Sequence, residues 1–453
     1  MMKFLMSMIF LSGVIWFGGY NSFMYNTMMI LSILFIFSLY DNGLSVLINL
    51  YMSLDYYSWM MIWLSMWIVM LIYMTLDSED KSDDKIFFGE KDDLLMKNFV
   101  LLIMMLILLM FFTVKNMLLF YLFFELSLVP TFMLVVYWGS NPERMSAAFY
   151  MLMYTMLISL PLLVYIMLMF KLSGSFNFEV LEVSMKNFSL SIWGVLMVLG
   201  AFLVKMPMYL SHIWLPKAHV EAPVYGSMVL AAVLLKLGGY GMIRILKIFM
   251  KMGVKYGNLF ISIGLIGGLM ISLICLVQID MKSLVAYSSV VHMNMMLAGM
   301  MSLLKLGYIS AYMIMIAHGL CSSGMFYMVN LYYKRSSSRL MFLNKGMISI
   351  LPIFTLWWFL LCSANFSFPL SFSFISEIYL LGTLIQLDSM LVILLILVSF
   401  LSSAYSLYLF AYVQHGEIMF LNKEESGSFK EIMVLILHFL PLMMLLVNLI
   451  MFN

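Results

Sequence analysis

Six titratable side chains stand inside runs of apolar residues: Glu125 in LLFYLFFELSLVPTF, Lys205 in LGAFLVKMPMYL, Lys236 in VLAAVLLKLGGYG, His292 in AYSSVVHMNMM, His318 in MIMIAHGLCSSGMF and Glu377 in FSFISEIYLLG. Carboxylates, amines and imidazoles can each exist neutral in a low dielectric, and each changes protonation when a charged neighbour moves. A chain of such groups can pass protons. Arginine, which stays protonated, could not serve, and none shares these positions. A buried amine is drawn to its neutral form by desolvation and back to the ammonium by a nearby carboxylate. Movement of Glu125 could therefore load and unload Lys205. Each charge at membrane depth costs ~2.5–3.5 kcal/mol on insertion scales, which makes each a functional candidate. Simpler readings stand beside this one. Glu125 and Lys205 could form a static salt bridge between helices, although Lys236 would then remain unmatched. His292 and His318 could be hydrogen-bonded packing residues among small polar neighbours.

Prolines cluster near two of these groups. Pro207 has no amide hydrogen and clashes with the preceding turn, so a helix carrying Lys205 should break there, and Pro216 and Pro223 should keep the following stretch irregular. A second interruption is expected at Pro369 in SANFSFPLSFSFISE, just before Glu377. Non-helical backbone at membrane depth is tolerated only where it is buried or lines water. Discontinuous helices mark ion sites in transporters, and paired breaks suggest inverted repeats. His212 and His219 lie seven residues apart across Pro216, unlike the spacing of zinc ligands, so no metal is expected there and the two are accessory candidates only. Lys217 and Glu221 are four apart and could be a surface pair.

The elements that must position these residues follow from composition. Of 453 residues, 64% are hydrophobic and 10% charged, and the mean hydropathy is +1.05. Soluble domains are about half apolar and a quarter charged. The apolar runs are long and lack alternation, so helices rather than a barrel are implied. The fold class is an all-α polytopic membrane protein of about 14 transmembrane helices by the ~20-residue rule. Spans are expected near 4–19, 24–40, 56–76, 94–112, 116–137, 146–170, 192–214, 223–249, 258–277, 283–303, 307–333, 347–386 with an interruption, 389–411 and 432–452. With short loops, 1–453 reads as a single membrane domain: N-terminal helices over 1–93, further helices over 94–250 and 258–411, and a C-terminal helix over 430–453. The stretch Asp77–Asp93 holds eight of the 22 acidic residues and reads as a solvated connector or, alternatively, a subunit docking surface.

Other classes are disfavoured. A net charge of +2 does not suggest a nucleic-acid partner. Cys275, Cys321 and Cys362 are isolated in apolar runs and read as packing residues. The first residues show no cleavage site or Arg-rich presequence. The chain has no phosphate-binding glycine loop and no haem or iron-sulfur constellation, so no cofactor is expected to bind it.

The segments LPKAHVEAPVYGSMVLAAVLLKLGGYG, FELSLVPT, NPERMSAAFYMLMYT, DMKSLVAYSSVVHM and AHGLCSSGMFYMVNLYYKRSSSR resemble the subunit 4 family of NADH:ubiquinone oxidoreductase, respiratory complex I. The resemblance runs from about Tyr51 to Tyr412. It implies an antiporter-like, proton-translocating subunit of the mitochondrial inner membrane, with two inverted five-helix repeats, at 94–250 and 258–411, and broken seventh and twelfth helices. In the matching motifs it implies a polar axis of Glu125, Lys205, Lys236, His292, His318 and Glu377, with Glu377 where sister subunits 2 and 5 carry lysine. NADH, FMN, iron-sulfur clusters and ubiquinone would belong to the complex, not to this chain. Partners would be other membrane subunits, especially subunits 2 and 5, and membrane lipids. Val224 and Tyr225 replace smaller residues usual in the family, and the first 50 residues diverge. The 52 methionines fit a mitochondrial code that reads AUA as Met, again an implication of the resemblance. A stand-alone cation/proton antiporter would share the breaks and the buried lysines.

Overall fold

The computed structural model describes residues 6–8, 10–11, 21–42, 45–49, 52–79, 90–186, 188–417 and 427–452. Most of the span expected over 4–19 and the centre of the acidic stretch Asp77–Asp93 lie outside the described residues. Helix α1 (Asn21–Asn42) leads to an antiparallel hairpin, β1 (Ser45–Asn49) with β2 (Met52–Asp55), in which Leu47 faces Ser53. The hairpin is a local exception to the all-helical expectation. The chain continues through α2 (Tyr56–Glu79), α3 (Glu90–Thr113), α4 (Met117–Leu126), α5 (Leu128–Trp138), α6 (Arg144–Ser173) and α7 (Phe178–Met185). Next come α8 (Ile192–Lys205), α9 (Trp214–Glu221), α10 (Val224–Val229), a π-helical turn at Leu230–Leu234 and α11 (Leu235–Ile248). The remainder is α12 (Met250–Val277), α13 (Met281–Met301), α14 (Lys305–Ser336), α15 (Met347–Ile350), α16 (Pro352–Asn365), α17 (Phe372–Leu387), α18 (Leu391–Gln414) and α19 (Phe429–Val447).

Among the described residues, ten helical stretches are long and apolar enough to cross a membrane, and α8, α16 and α17 are among the shorter apolar helices. The spans sort into an inner and an outer set. In α14 the whole spanning window is buried (100%), and in α13 it is 89%, whereas in α18 it is 28%. Of the inner helices, α13 and α14 are rich in Ser, Gly, Asn and His, because helix neighbours can satisfy polar groups that lipid cannot. Lys236, His292 and His318 all belong to this inner set. Helix α14 packs against α13, α16, α17 and α19, and so forms the axis on which the second half of the chain assembles. Cys275, Cys321 and Cys362 are buried and unpaired by disulfides.

Prolines shape several helices through the hydrogen bond they cannot donate. Pro130 leaves the Leu126 carbonyl without its usual partner, and the span expected over 116–137 divides into α4 and α5 at Ser127. Pro441 does the same to the Leu437 carbonyl in α19, which instead accepts the indole N–H of Trp67 at 3.0 Å. Pro216 corrects an expectation. It does not break a helix but lies in the first turn of α9, where a missing amide hydrogen removes no intrahelical bond. Pro207 and Pro369 do lie in non-helical stretches, between α8 and α9 and between α16 and α17.

Candidate functional site

Helix α8 is apolar along its length and ends at Lys205. Met206 N–H still makes the helical bond to Phe202 O, but beyond it the backbone leaves the helical path: Met208 N–H reaches back five residues to Leu203 O at 3.1 Å, and Leu210 takes φ +86°. The indole N–H of Trp214, from the start of α9, bonds to Val204 O at 3.0 Å, satisfying a carbonyl near the broken end. Lys205 is buried, with Nζ donating to Phe124 O at 2.6 Å and to Ser127 Oγ at 3.1 Å, and lying 3.5 Å from the Phe124 ring centroid. The kink between α4 and α5 thus presents a carbonyl and a hydroxyl to the lysine. Glu125 lies beside Lys205 and Ser159. Both its carboxylate oxygens are buried and make no hydrogen bond. The static salt bridge is therefore not the arrangement found; the carboxylate is near the ammonium but not against it.

The other four candidates are brought together one helix further in. The π-helical turn places the Ala231 carbonyl where Lys236 Nζ can donate to it, and the same Nζ stands 2.9 Å from His318 Nδ1. The rings of His318 and His292 are 5.5 Å apart, and His292 Nδ1 is 3.8 Å from Glu377 Oε1. His318, not His292, is the imidazole that meets Lys236, so the spatial order is Lys236, His318, His292, Glu377. The two histidines and Glu377 border a cavity of about 20 Å³, with Asn365, Ser373 and Ser376 adding polar walls. That is room for about one water molecule. His292 Nε2 and His318 Nε2 are buried without hydrogen-bond partners.

Between the two groups of charges, α8 and α11 approach closely. A Cβ on Gly238 would stand 2.6 Å from Met206 Cγ and 2.9 Å from Phe202 O, so only glycine admits this contact. Among the described residues no hydrogen bond or ion pair joins Lys205 to Lys236.

The accessory histidines make no hydrogen bond to the other candidates, although His219 lies within electrostatic reach of Lys236 and His318. His212 is half-buried and stacks on Tyr209 with ring centroids 5.8 Å apart. His219 is fully buried, stacks on Phe326 at 4.6 Å, and has no hydrogen bond at either ring nitrogen. Lys217 and Glu221 do not pair: Lys217 lies over the Tyr150 ring at 3.9 Å, and the buried Glu221 accepts from Asn141 Nδ2 at 3.1 Å.

Sequence reasoning passed over three polar residues. Lys282, which looks like a loop charge beside Asp280, is buried and donates to Ala222 O at 2.6 Å, holding the end of α9. Asn365 closes α16 and lines the cavity. Asn294 accepts the Tyr209 N–H at 3.3 Å. A search for uncharged amides at membrane depth would have found the last two.

Residues 114–402 match the family model described as NADH:quinone oxidoreductase/Mrp antiporter, TM, and residues 1–88 match that described as NADH-ubiquinone oxidoreductase chain 4, amino terminus. The chain is 42% identical over 449 residues to NADH-ubiquinone oxidoreductase chain 4 of Ceratitis capitata, covering 99% of this chain and 98% of that one. To the protein of the same name from Aedes aegypti it is 50% identical over 329 residues, 72% of this chain and 73% of the other. In fold it is similar to a chain of respiratory complex I from Thermus thermophilus, with TM-score 0.86, 20% identity and coverage of 97% and 94%. It is also similar to a chain of the Mrp complex from a Dietzia species, with TM-score 0.80, 16% identity and coverage of 92% and 80%.

Proposed function

Since the chain belongs to the NADH-ubiquinone oxidoreductase chain 4 family, we propose that it carries protons across the mitochondrial inner membrane as an antiporter-like subunit of complex I, driven by NADH oxidation elsewhere in that complex. The observation that carries the reading is the contiguous series Lys236, His318, His292 and Glu377, three of whose members border a cavity of water size. Every member can hold or release a proton; Lys236, His318 and His292 lie on the most deeply buried helices, and Glu377 stands at their edge on α17, a quarter exposed. Lys205 and Glu125 are its loading end. The carboxylate oxygens of Glu125 are buried without a hydrogen bond, and a movement of that group toward or away from Lys205 would change how firmly the amine holds its proton. Water bridges the gap from Lys205 to Lys236; from there the proton passes through His318 and His292 to Glu377 and leaves toward the intermembrane space.

The finer architecture belongs to the same proposal: about 14 spans, by the ~20-residue rule, with two inverted five-helix repeats at 94–250 and 258–411. Support comes from the two interrupted helices and the hydrogen-bond pattern and left-handed leucine that their breaks share. The chain itself binds no redox cofactor, and its neighbours are the antiporter-like subunits 2 and 5 and membrane lipids. The test is Lys205→Met in the assembled complex, reconstituted in vesicles. Protons translocated per NADH should fall while the complex remains intact; an unchanged ratio removes Lys205 from the mechanism. The likeness in fold to an Mrp chain supports a second reading, a cation/proton antiporter able to act alone. Sodium–proton exchange by the isolated, reconstituted chain would favour it.

A further inference from the structure

Helix α13 stands between the two interrupted helices and touches each with a different face. Tyr287 and Asn294, seven residues apart, share one face. The Tyr287 ring lies 6.3 Å from that of His212, and Asn294 Oδ1 accepts the backbone N–H of Tyr209 at 3.3 Å. His292, two residues before Asn294, points around the helix to Glu377 and the cavity beside Asn365. One short segment of α13 therefore meets the break after Lys205 and the break after Asn365.

The contact at Tyr209 is built on close packing. A Cβ on Gly267 of α12 would lie 2.3 Å from Tyr209 Cβ, and one on Gly264 would lie 3.0 Å from the Asn294 carbonyl oxygen. Tyr209 is thus wedged between α12 and Asn294. Its N–H has left the helical ladder because α8 ends at Lys205 and the Met208 N–H already reaches back to Leu203 O, and Asn294 is fully buried. A backbone donor at this depth must be paired, since an unpaired one loses its solvation without compensation.

We propose that Asn294 is a positioning residue: by accepting the Tyr209 N–H it fixes the backbone of the first break, and with it the placement of Lys205 four residues earlier, relative to the helix that carries His292. This rests on the relay proposed above. Asn294 itself transfers no proton. Its carboxamide holds the loading end and the His292 end of the relay in one register, and small displacements at such distances have large effects on transfer.

The experiment compares Asn294→Leu, which has similar bulk and no acceptor, with Asn294→Asp, which keeps an oxygen facing Tyr209, in the complete complex reconstituted in vesicles. Protons per NADH and complex content are measured, with Lys205→Met as reference. Asn294→Leu is expected to lower protons per NADH at least twofold at parental complex content, and Asn294→Asp to recover more than half of the loss. A parental ratio in Asn294→Leu overturns the proposal, and so does equal impairment of both variants, which would make the site one of packing alone. If Asn294→Leu does not assemble, Asn294→Ser, polar but too short to reach Tyr209, is read by the same criteria. A parental ratio in Lys205→Met defeats the relay itself, whereas a defect there with no defect at Asn294 defeats only this inference.

Discussion

At the first break Met208 N–H bonds to Leu203 O at 3.1 Å and Ser211 N–H to Met208 O at 3.0 Å; at the second, Phe368 N–H bonds to Ser363 O at 3.0 Å and Ser371 N–H to Phe368 O at 3.2 Å. In each, a leucine follows in the left-handed region, Leu210 at φ +86° and Leu370 at φ +83°, and a serine comes next. The prolines do not correspond: Pro207 precedes its leucine by three residues and Pro369 by one. What recurs is the hydrogen-bond pattern and the turn at the leucine, not the position of a proline; the paths still differ where Ser367 takes φ +60° and its counterpart Pro207 is held at negative φ. The residue five before each leucine is the last of its helix, Lys205 in one case and Asn365 in the other, and both are buried. One hinge thus presents an amine to the kink between α4 and α5, and the other presents a carboxamide to a cavity whose ionisable groups, His292, His318 and Glu377, come from other positions. A common backbone device has been given different chemistry at its tip.

The largest expected effect comes from making the first tip like the second. Lys205→Asn keeps a polar group but removes the proposed proton carrier, and coupled NADH–quinone turnover in vesicles should fall by about 10²-fold, the lower end of what a positioned acid–base group contributes. Retained coupling would mean that the two tips are interchangeable. Next is packing. Gly267→Leu would drive a side chain into Tyr209 at the first break and should destabilise by about 1–3 kcal/mol, seen as a lower thermal midpoint of the complex. Well along α17, away from the second break, nothing lies within 4 Å of a Cβ on Gly382, so Gly382→Ala should instead be neutral or stabilise by up to about 1 kcal/mol. Smaller changes are expected at the leucines. Leu210 and Leu370 are 69% and 66% exposed, so little packing is lost in Leu210→Gly or Leu370→Gly. Relief of left-handed strain, ~1–2 kcal/mol, is offset by ~0.5–1 kcal/mol of glycine chain entropy, leaving a gain of about 0–1.5 kcal/mol at both sites. Unequal responses would show that the two backbones are not equivalent. The smallest effect belongs to Pro207→Ala and Pro369→Ala, each losing about 0.4–1 kcal/mol through the unfolded chain while the breaks persist. Amide-exchange protection around residues 206–213 and 366–371 would check that.

Much of the fold could be read from residue order alone, because a bilayer admits few solutions for long apolar runs. Fragments such as VLAAVLLKLGGYG and MIMIAHGLCSSGMF announce both a span and a charge within it, and the two interruptions were visible from Pro207 and Pro369. The hairpin at Ser45–Asp55, the kink at Ser127 and the harmless place of Pro216 were not, since each depends on where a helix begins or on which carbonyl is left free. At the site, all six ionisable residues could be nominated by type, but their partners could not.

Composition and local spacing determined that this chain is a helical membrane protein with titratable groups at depth, because insertion into lipid selects on each segment separately. Only the tertiary structure decided that Lys205 bonds to Phe124 O and Ser127 rather than to Glu125, that His318 comes between Lys236 and His292, and that Asn294 reaches the first break. Those contacts join residues about 80 positions apart. They depend on how closely glycines such as Gly238 and Gly267 let helices approach, a property of paired surfaces that no single segment contains.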